Sequence, residues 1–231
     1  MTEVNASPRK IAPLNLIFTD ADIERLYRRF YHHWTKCKHT DDHFVVAGVD
    51  VYSFYGSRKQ RHFYSLGEDT LNYYACLAVS DDRGFLSERI KRYYQALVHT
   101  DFDFSRKHRG FARSVIFDVM FKNYIDSLLI TDHEQTELGF GMWQNLVADA
   151  FEQNKQAVAY INDERKLICP LTRENIRGNR NWLSRVLFGS AYKYEDRGIF
   201  ILKKALNSVL KNTPRIEIVS IEDFLEYGTQ R

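Results

Sequence analysis

Residues 102–116, FDFSRKHRGFARSVI, decide the fold. The alternation of Phe102 and Phe104 predicts the end of a strand that runs over Ala96–Phe104. Apolar residues then recur at helical spacing over Phe111–Ile125. A short basic turn around Gly110 separates the two patterns. The stretch is therefore predicted to be a strand, a tight turn and a helix.

The turn has the composition of an anion-binding site. Gly110, Ala112 and Ser114 are small residues at alternate positions, which would let backbone N–H groups at the helix start approach an anion closely. Four cations surround them, Arg106, Lys107, Arg109 and Arg113. Such a turn suits a pyrophosphate.

The rest of the chain supplies further helices and strands. Apolar and aromatic residues between Ile23 and Trp34 predict an amphipathic helix that Thr19 or Asp20 would cap. Strands are predicted over 44–55, 72–80, 127–131 and 157–161, and helices over 85–94 and 139–153. This order predicts an α/β (α+β) fold with a single mixed, largely antiparallel central sheet flanked by helices. We expect residues 1–13 to be a flexible lead-in to one domain, 14–231, with its core in 14–161 and a C-terminal extension in 162–231.

Composition excludes several classes of protein. The 231 residues are 44% hydrophobic and 27% charged, which fits a globular domain with a core of its own and excludes a disordered chain. No apolar run is long enough to span a membrane, and the first residues do not resemble a secretory signal. Three cysteines at wide spacing favour reduced thiols and a cytoplasmic location. The net charge of +3 is too small to identify a partner.

At the basic turn the sequence resembles the GNAT superfamily of acyl-CoA-dependent N-acyltransferases. The family pattern is an apolar-x-apolar strand, an aromatic residue or histidine, Arg-Gly-x-Gly-x-Gly/Ala and a helix. Phe102 and Phe104 match the strand, and His108-Arg109-Gly110 matches the start of the turn. The resemblance implies that acetyl-coenzyme A or another acyl-coenzyme A binds here. Its contacts would be Phe104, Arg106, Arg109, Gly110, Ala112, Arg113 and Ser114.

The resemblance extends to a second helix and leaves the acid/base chemistry open. Asn145-x-x-Ala-x-x-Phe matches a helix pattern of the family and makes Asn145 a further cofactor contact. The tyrosine that serves the family as general acid is replaced here by Glu152. We therefore expect proton transfer to fall to His99, Asp101 or Asp103, which the pattern places on the strand before the turn and which the resemblance would put near the amine acceptor.

Two other patterns compete with this interpretation. Cys37, His39 and His43 are residue types that bind zinc, but no second ligand pair follows at regular spacing, so a polar loop without a metal is expected. A mixture of cations and aromatics near the C-terminus suits a nucleic-acid surface: Arg173, Arg177, Arg180, Trp182 and Arg185. The sequence thus predicts an N-acyltransferase with an amine acceptor that could belong to a macromolecule. The alternative is a protein that binds or modifies nucleic acid.

Overall fold

The computed structural model describes residues 18–56, 60–79, 91–130, 137–152, 157–162, 166–172, 197–202 and 216–226. The chain forms two compact units, which we describe separately. The N-terminal unit contains Asn15–Ser80 and Tyr93–Asp126. The C-terminal unit contains the described residues from Ser127 onward, together with Lys91 and Arg92. The predicted lead-in, residues 1–13, lies outside the described residues. So do the residues of the predicted nucleic-acid surface: Arg173, Arg177, Arg180, Trp182 and Arg185.

The N-terminal unit begins with helix α1, Asp20–Cys37. Thr19 caps it, because its hydroxyl accepts a hydrogen bond from the Asp22 backbone N–H at 3.2 Å while the Asp22 carboxylate accepts one from the Thr19 backbone N–H at 3.1 Å. Phe30, at the centre of the apolar face, is 1% exposed. The amphipathic helix predicted from the sequence is confirmed.

Five antiparallel strands follow: β1 (Asp42–Val46), β2 (Val49–Tyr55), β3 (Gln60–Leu66), β4 (Leu71–Val79) and β5 (Arg92–Thr100). Each pairs with the next, in the order in which the chain makes them. The β1–β2 connection consists of two residues, Ala47 and Gly48, both with positive φ. That backbone matches the right-handed twist of a two-residue hairpin, and glycine adopts it without strain.

Helical structure resumes after β5. Helix α2, Phe102–Lys107, is followed by α3, Phe111–Ser114, which continues into a π-helical segment, Val115–Phe121. Beyond this segment the Ile125 N–H bonds to the Met120 carbonyl five residues earlier, a π-type turn that ends the helical stretch. Six of the seven π-helical residues are buried, so this segment supplies much of the unit's core.

Each face of the five strands packs against one helical layer of the same unit. His62, Tyr64 and Tyr74 share the face covered by α1, where Phe30 stacks on Tyr64 with ring centroids 5.0 Å apart. On the opposite face Tyr73 packs against Phe111 of α3. Rings from both layers therefore form a large part of the core.

The C-terminal unit holds strands β6 (Leu128–Ile130), β7 (Ala157–Asn162), β8 (Leu167–Pro170), β9 (Arg197–Leu202) and β10 (Glu217–Ile218). Their order is β6-β9-β7-β8-β10, antiparallel except for the parallel pair β8–β10. Among its described residues are two helices, α4 (Glu137–Glu152) and α5 (Ile221–Glu226). Among the described helices, none is both long and apolar enough to cross a membrane.

The fold class is as predicted: helices combined with a mixed, largely antiparallel sheet. Two predictions about elements were wrong, and one strand was missed. The strand expected at Ala96–Phe104 runs over Arg92–Thr100, and Phe102 and Phe104 lie on helix α2. The helix expected over 85–94 cannot extend past Lys91, because β5 begins at Arg92, and residues 85–90 lie outside the described part. Strand β3 was not anticipated.

Candidate functional site

The predicted anion turn is a helix–turn–helix rather than a strand–turn–helix. The Asp101 carboxylate accepts a hydrogen bond from the Phe104 N–H at 2.8 Å and so caps α2. The helix ends at Lys107, and Gly110 then adopts φ +80°, a left-handed conformation that favours glycine. The Phe111 N–H bonds back to the His108 carbonyl at 3.1 Å. The turn is therefore tight, and α3 begins directly after it.

Aromatic packing fixes the turn on the unit's core. The His108 ring stacks on Phe104 with centroids 4.5 Å apart, and Phe104 meets Phe111 edge-on at 4.9 Å. Phe104 and Phe111 are 7% and 2% exposed, so both rings are anchored. A turn held from both sides in this way has its backbone positioned before any ligand arrives, which lowers the entropic cost of binding.

The cations of the turn remain at the surface. Arg106, Lys107 and Arg109 are exposed, and Arg113 is half-buried. The Arg113 guanidinium lies against Gly110, because a Cβ added there would come within 3.0 Å of its Nη2. Ala112 and Ser114 are half-buried in the first turn of α3. Local sequence thus brings all the predicted contacts from Phe104 to Ser114 into one short segment.

Asn145, the remaining predicted cofactor contact, belongs to the other unit. It lies on helix α4, in the stretch predicted to be helical, with its side chain exposed. Its role as a cofactor contact stays a prediction.

The predicted acid/base residues do not share a strand. Only His99 lies on β5, whereas Asp101 is the N-cap of α2 and Asp103 is an exposed residue within that helix. The placement of Asp101 and Asp103 on the strand was wrong because the Asp101 cap starts a helix where the Phe-x-Phe alternation suggested an extended chain. His99 Nε2 lies 3.2 Å from the Leu71 carbonyl oxygen. Burial is the main cause that lowers the pKa of His99, while the Leu71 carbonyl and the Asp101 carboxylate oppose it.

Strand β5 carries an irregularity next to His99. Ala75 of β4 pairs with Val98, but its neighbour Cys76 pairs with Ala96, so Leu97 is an extra residue without a partner on β4. One extra residue in a strand bends it and re-aims its backbone groups, and such bulges are over-represented near active sites.

A buried carboxylate at the end of α1 was missed by the sequence analysis. The side chain of Asp41 is 3% exposed, with His33 Nε2 at 3.0 Å from one oxygen and the Tyr64 hydroxyl donating to the other at 2.8 Å. The His33 ring stacks on Phe54 at 3.9 Å. Burial, followed by the bond to Asp41, raises the pKa of Tyr64 well above its usual range, so its hydroxyl remains a donor at neutral pH.

A second missed cluster surrounds Arg61 on the opposite face of the sheet. Its guanidinium lies 4.0 Å from the ring centroids of both Tyr55 and Tyr124 and donates to Ser53 at 3.0 Å and to Asp42. The Tyr124 hydroxyl, which donates to Asp42 at 2.8 Å, and then Arg61 lower the pKa of that carboxyl. Burial raises the pKa of Tyr124 to about 12. The pairing of β1 with β2 and of β2 with β3 brings these side chains together, and no local sequence pattern encodes it.

The three residues with zinc-binding chemistry do not converge. Cys37 ends α1, His39 follows it in a turn, and the His43 imidazole on β1 is 2.8 Å from Asp50. Within the described part of the chain, no group of three or more His, Cys, Asp or Glu side chains is placed to hold a metal ion.

Neither a family model nor a curated protein sequence matches this chain.

Proposed function

We propose that the chain is an acyl-coenzyme A-dependent N-acyltransferase whose His108–Ser114 segment holds the cofactor's pyrophosphate. The observation that carries the proposal is the fixed turn at Gly110, which starts a helix amid four cations and is separated from the bulged strand β5 by helix α2. Backbone N–H groups at a helix start and arginine guanidinium groups are both suited to phosphate oxygens. Acetyl-coenzyme A or another acyl-coenzyme A would supply an acyl group already activated as a thioester.

The arginines of the turn would contribute to pyrophosphate binding in different ways. Arg109 and Arg106 are exposed and can each contribute a charge-assisted hydrogen bond. Arg113 lies beside Gly110 and adds positive charge close to the backbone. Glycine suits position 110 for two reasons. It adopts the positive φ without strain, and its lack of a side chain leaves room for the Arg113 guanidinium.

His99 is the best candidate for the base that accepts the acceptor amine's proton. Its bond to the Leu71 carbonyl requires the hydrogen on Nε2, so the neutral ring keeps a lone pair on Nδ1. Because burial lowers its pKa, the ring stays neutral at physiological pH. Asp101 is engaged as a helix cap, and Asp103 is exposed, so neither is as well suited.

The reaction balances with these groups. The amine nitrogen forms a bond to the thioester carbonyl carbon, the carbon–sulfur bond breaks, and the leaving thiolate takes up a proton. The amine loses one proton to His99, which returns it to solvent. No further reactant is required.

The test is release of coenzyme A thiol from acetyl-coenzyme A in the presence of a panel of small amines and lysine peptides. We expect amine-dependent release, and we expect Arg109→Ala to weaken acetyl-coenzyme A binding by about 10- to 150-fold, the value of a hydrogen bond to a charged group. Arg25→Ala, an exposed cation on α1, serves as the matched control. Unchanged affinity in a folded Arg109→Ala variant would contradict the proposal.

A further inference from the structure

His62 on β3 is a buried histidine on the face of the strands that α1 covers. The residue is only 7% exposed. The centroid of its ring lies 6.4 Å from that of Phe30 on α1 and 5.1 Å from that of Phe54 on β2. Nδ1 lies 3.1 Å from the Tyr74 hydroxyl, and on the other side of the ring Gly56 comes so close to Nε2 that a side chain there would clash. The imidazole is therefore enclosed between the helix and the strands.

The charged neighbours of His62 are two cationic side chains of α1, Arg29 and His33. After burial, these two groups are what lowers the pKa of His62. They lie one helical turn apart and so occupy the same flank of α1, where the His33 ring meets Tyr64 of β3 edge-on at 6.3 Å. The Asp41 carboxylate bonds to His33 and to the Tyr64 hydroxyl. Among the described side chains, no carboxylate bonds to His62 or to Arg29, so a proton on His62 would have no counter-charge.

The neighbouring strands supply no counter-charge either. Cys76 of β4 is the direct cross-strand partner of His62, and Tyr74 lies on the same face. Burial raises the pKa of the Cys76 thiol to about 11 and that of the Tyr74 hydroxyl above its usual range, so both groups are neutral at physiological and at acidic pH. A protonated His62 would therefore be a charge in an apolar site, which is unfavourable unless water reaches it.

We propose that protonation of His62 releases α1 from β3 and β4, so that mild acid opens the N-terminal unit along this interface. The repulsion acts across the interface, because Arg29 and His33 belong to the helix and His62 to the sheet. Separation of α1 hydrates the imidazolium and moves it away from both cations in one step. The opposite face of the sheet stays covered, since Tyr73 packs there against Phe111 of α3. The proposal does not depend on the acyltransferase function.

Cys76 reports directly on this opening. It is 2% exposed and belongs to the same buried cluster as Phe30, so α1 has to move before a reagent reaches the thiol. Cys169, which is 1% exposed, lies in the C-terminal unit and serves as the internal control for general unfolding. Cys37 is half-buried on α1 itself and is replaced by serine, so that only the two buried thiols remain.

The experiment is labelling of the Cys37→Ser protein with 4,4′-dithiodipyridine, an aromatic disulfide that reacts with thiols in mild acid. Mass spectrometry gives the rate at each cysteine between about pH 7 and pH 5, and the Cys76 rate is divided by the Cys169 rate in the same sample. We expect this ratio to rise below about pH 6.5, by up to about tenfold for each pH unit, because opening takes up one proton.

Hydrogen exchange on the same protein separates release of α1 from unfolding of the whole unit. Protection factors should fall in Asp20–Cys37, because an 18-residue helix owes most of its stability to packing. Protection should stay unchanged in Val115–Phe121, the π-helical segment of the same unit, six of whose seven residues are buried.

Two pairs of variants test the cause. His62→Gln should abolish the rise of the ratio, whereas His32→Gln, at an exposed position on α1, should retain it. Arg29→Gln keeps the imidazole and removes a cation beside it, so it should make the rise smaller. Arg28→Gln is its matched control, because Arg28 pairs with Glu24 on the same helix, and it should leave the rise unchanged.

Four outcomes would each overturn the proposal: a labelling ratio that does not change with pH, an equal rise in His62→Gln, an undiminished rise in Arg29→Gln, or protection lost in Val115–Phe121 together with α1. If His62→Gln does not fold, Arg29→Gln still decides between repulsion across the interface and another cause. None of these measurements involves acetyl-coenzyme A, so failure here is distinguishable from failure of the acyltransferase proposal.

Discussion

The Arg61 guanidinium reaches past strand β2 and donates a hydrogen bond of 2.5 Å to the Asp42 carboxylate on the edge strand β1. The Arg61 side chain is only 11% exposed, whereas that of Asp42 is 53% exposed. A buried cation therefore has its charge balanced by a carboxylate that stays in contact with water. Strand β1 pairs with β2 at the edge of the sheet, and the contact with Arg61 ties it to β3 as well.

Arg61→Ala should lower the free energy of unfolding by about 2–3 kcal/mol. The loss combines a hydrogen bond to a charged group, discounted for the exposure of Asp42, with stacking on Tyr55 and Tyr124. Urea unfolding measures it. Arg25→Ala is the matched control, since its ion pair with Asp22 is exposed and screened by solvent, and its loss should leave the free energy of unfolding nearly unchanged. Equal, small effects of both substitutions would show that the Arg61 cluster adds nothing to stability.

His62 should make the fold sensitive to acid. Burial, followed by Arg29 and His33, lowers the pKa of His62 from its usual 6.5. The folded chain then binds the proton more weakly than the unfolded chain, so stability is complete above about pH 6.5 and falls as the pH drops toward the lowered pKa. Each unit of lowering is worth about 1.4 kcal/mol.

The pH effect is measured by urea unfolding at neutral and mildly acidic pH. His62→Gln should reduce the decrease in unfolding free energy between neutral and acidic pH. The variant should also be less stable at every pH, because the contacts of the His62 ring with Tyr74 and Phe54 are lost. His32→Gln, at an exposed position, controls for removal of a histidine as such. An acid response in His62→Gln as steep as in the unaltered protein would count against this origin.

The sequence predicts elements well where local chemistry dictates them. Helix α1 follows from the Thr19 capping box and the spacing of its apolar residues, and the β1–β2 hairpin lies within a segment rich in Val, Phe and Tyr. Strand β3 was not predicted because Arg61, His62 and Ser65 interrupt the apolar pattern, although all three are buried in the structure. Their burial depends on partners far along the chain, namely Asp42 and Tyr74.

The site was predicted only in part for a related reason. The turn around Gly110 is encoded locally, and the structure has it where the small and basic residues indicate. Phe102 to Phe104 was wrongly assigned to a strand because Phe-x-Phe alternation outweighed the helix-start signal of Asp101, whose carboxylate accepts a hydrogen bond from the Phe104 N–H. The contact between His33 and Asp41 could not be predicted from the sequence, because it depends on how α1 packs against β3.

If the acyltransferase proposal holds, His99→Ala should reduce the rate of acyl transfer by roughly 10²–10⁴-fold. Because burial lowers the pKa of His99 below its usual value, the unaltered protein should lose activity only as the pH falls below about 6.5. Asp103→Ala, at an exposed position on α2, is the control and should keep its rate. Full activity of a folded His99→Ala variant would remove His99 as the base.

The most direct measurement of the central claim is calorimetric titration of acetyl-coenzyme A into the unaltered protein, Gly110→Val and Gly48→Val. Both glycines have positive φ, +80° and +77°, so valine strains the backbone at either position. At Gly110 the new Cβ also lies 3.0 Å from the Arg113 guanidinium, whereas at Gly48 no atom lies within 4 Å. We predict binding to the unaltered protein and to Gly48→Val, and an affinity at least about tenfold lower in Gly110→Val, the loss of one charge-assisted contact. Equal affinities in the two folded variants, or no binding to the unaltered protein, would contradict the assignment of this turn as a pyrophosphate site.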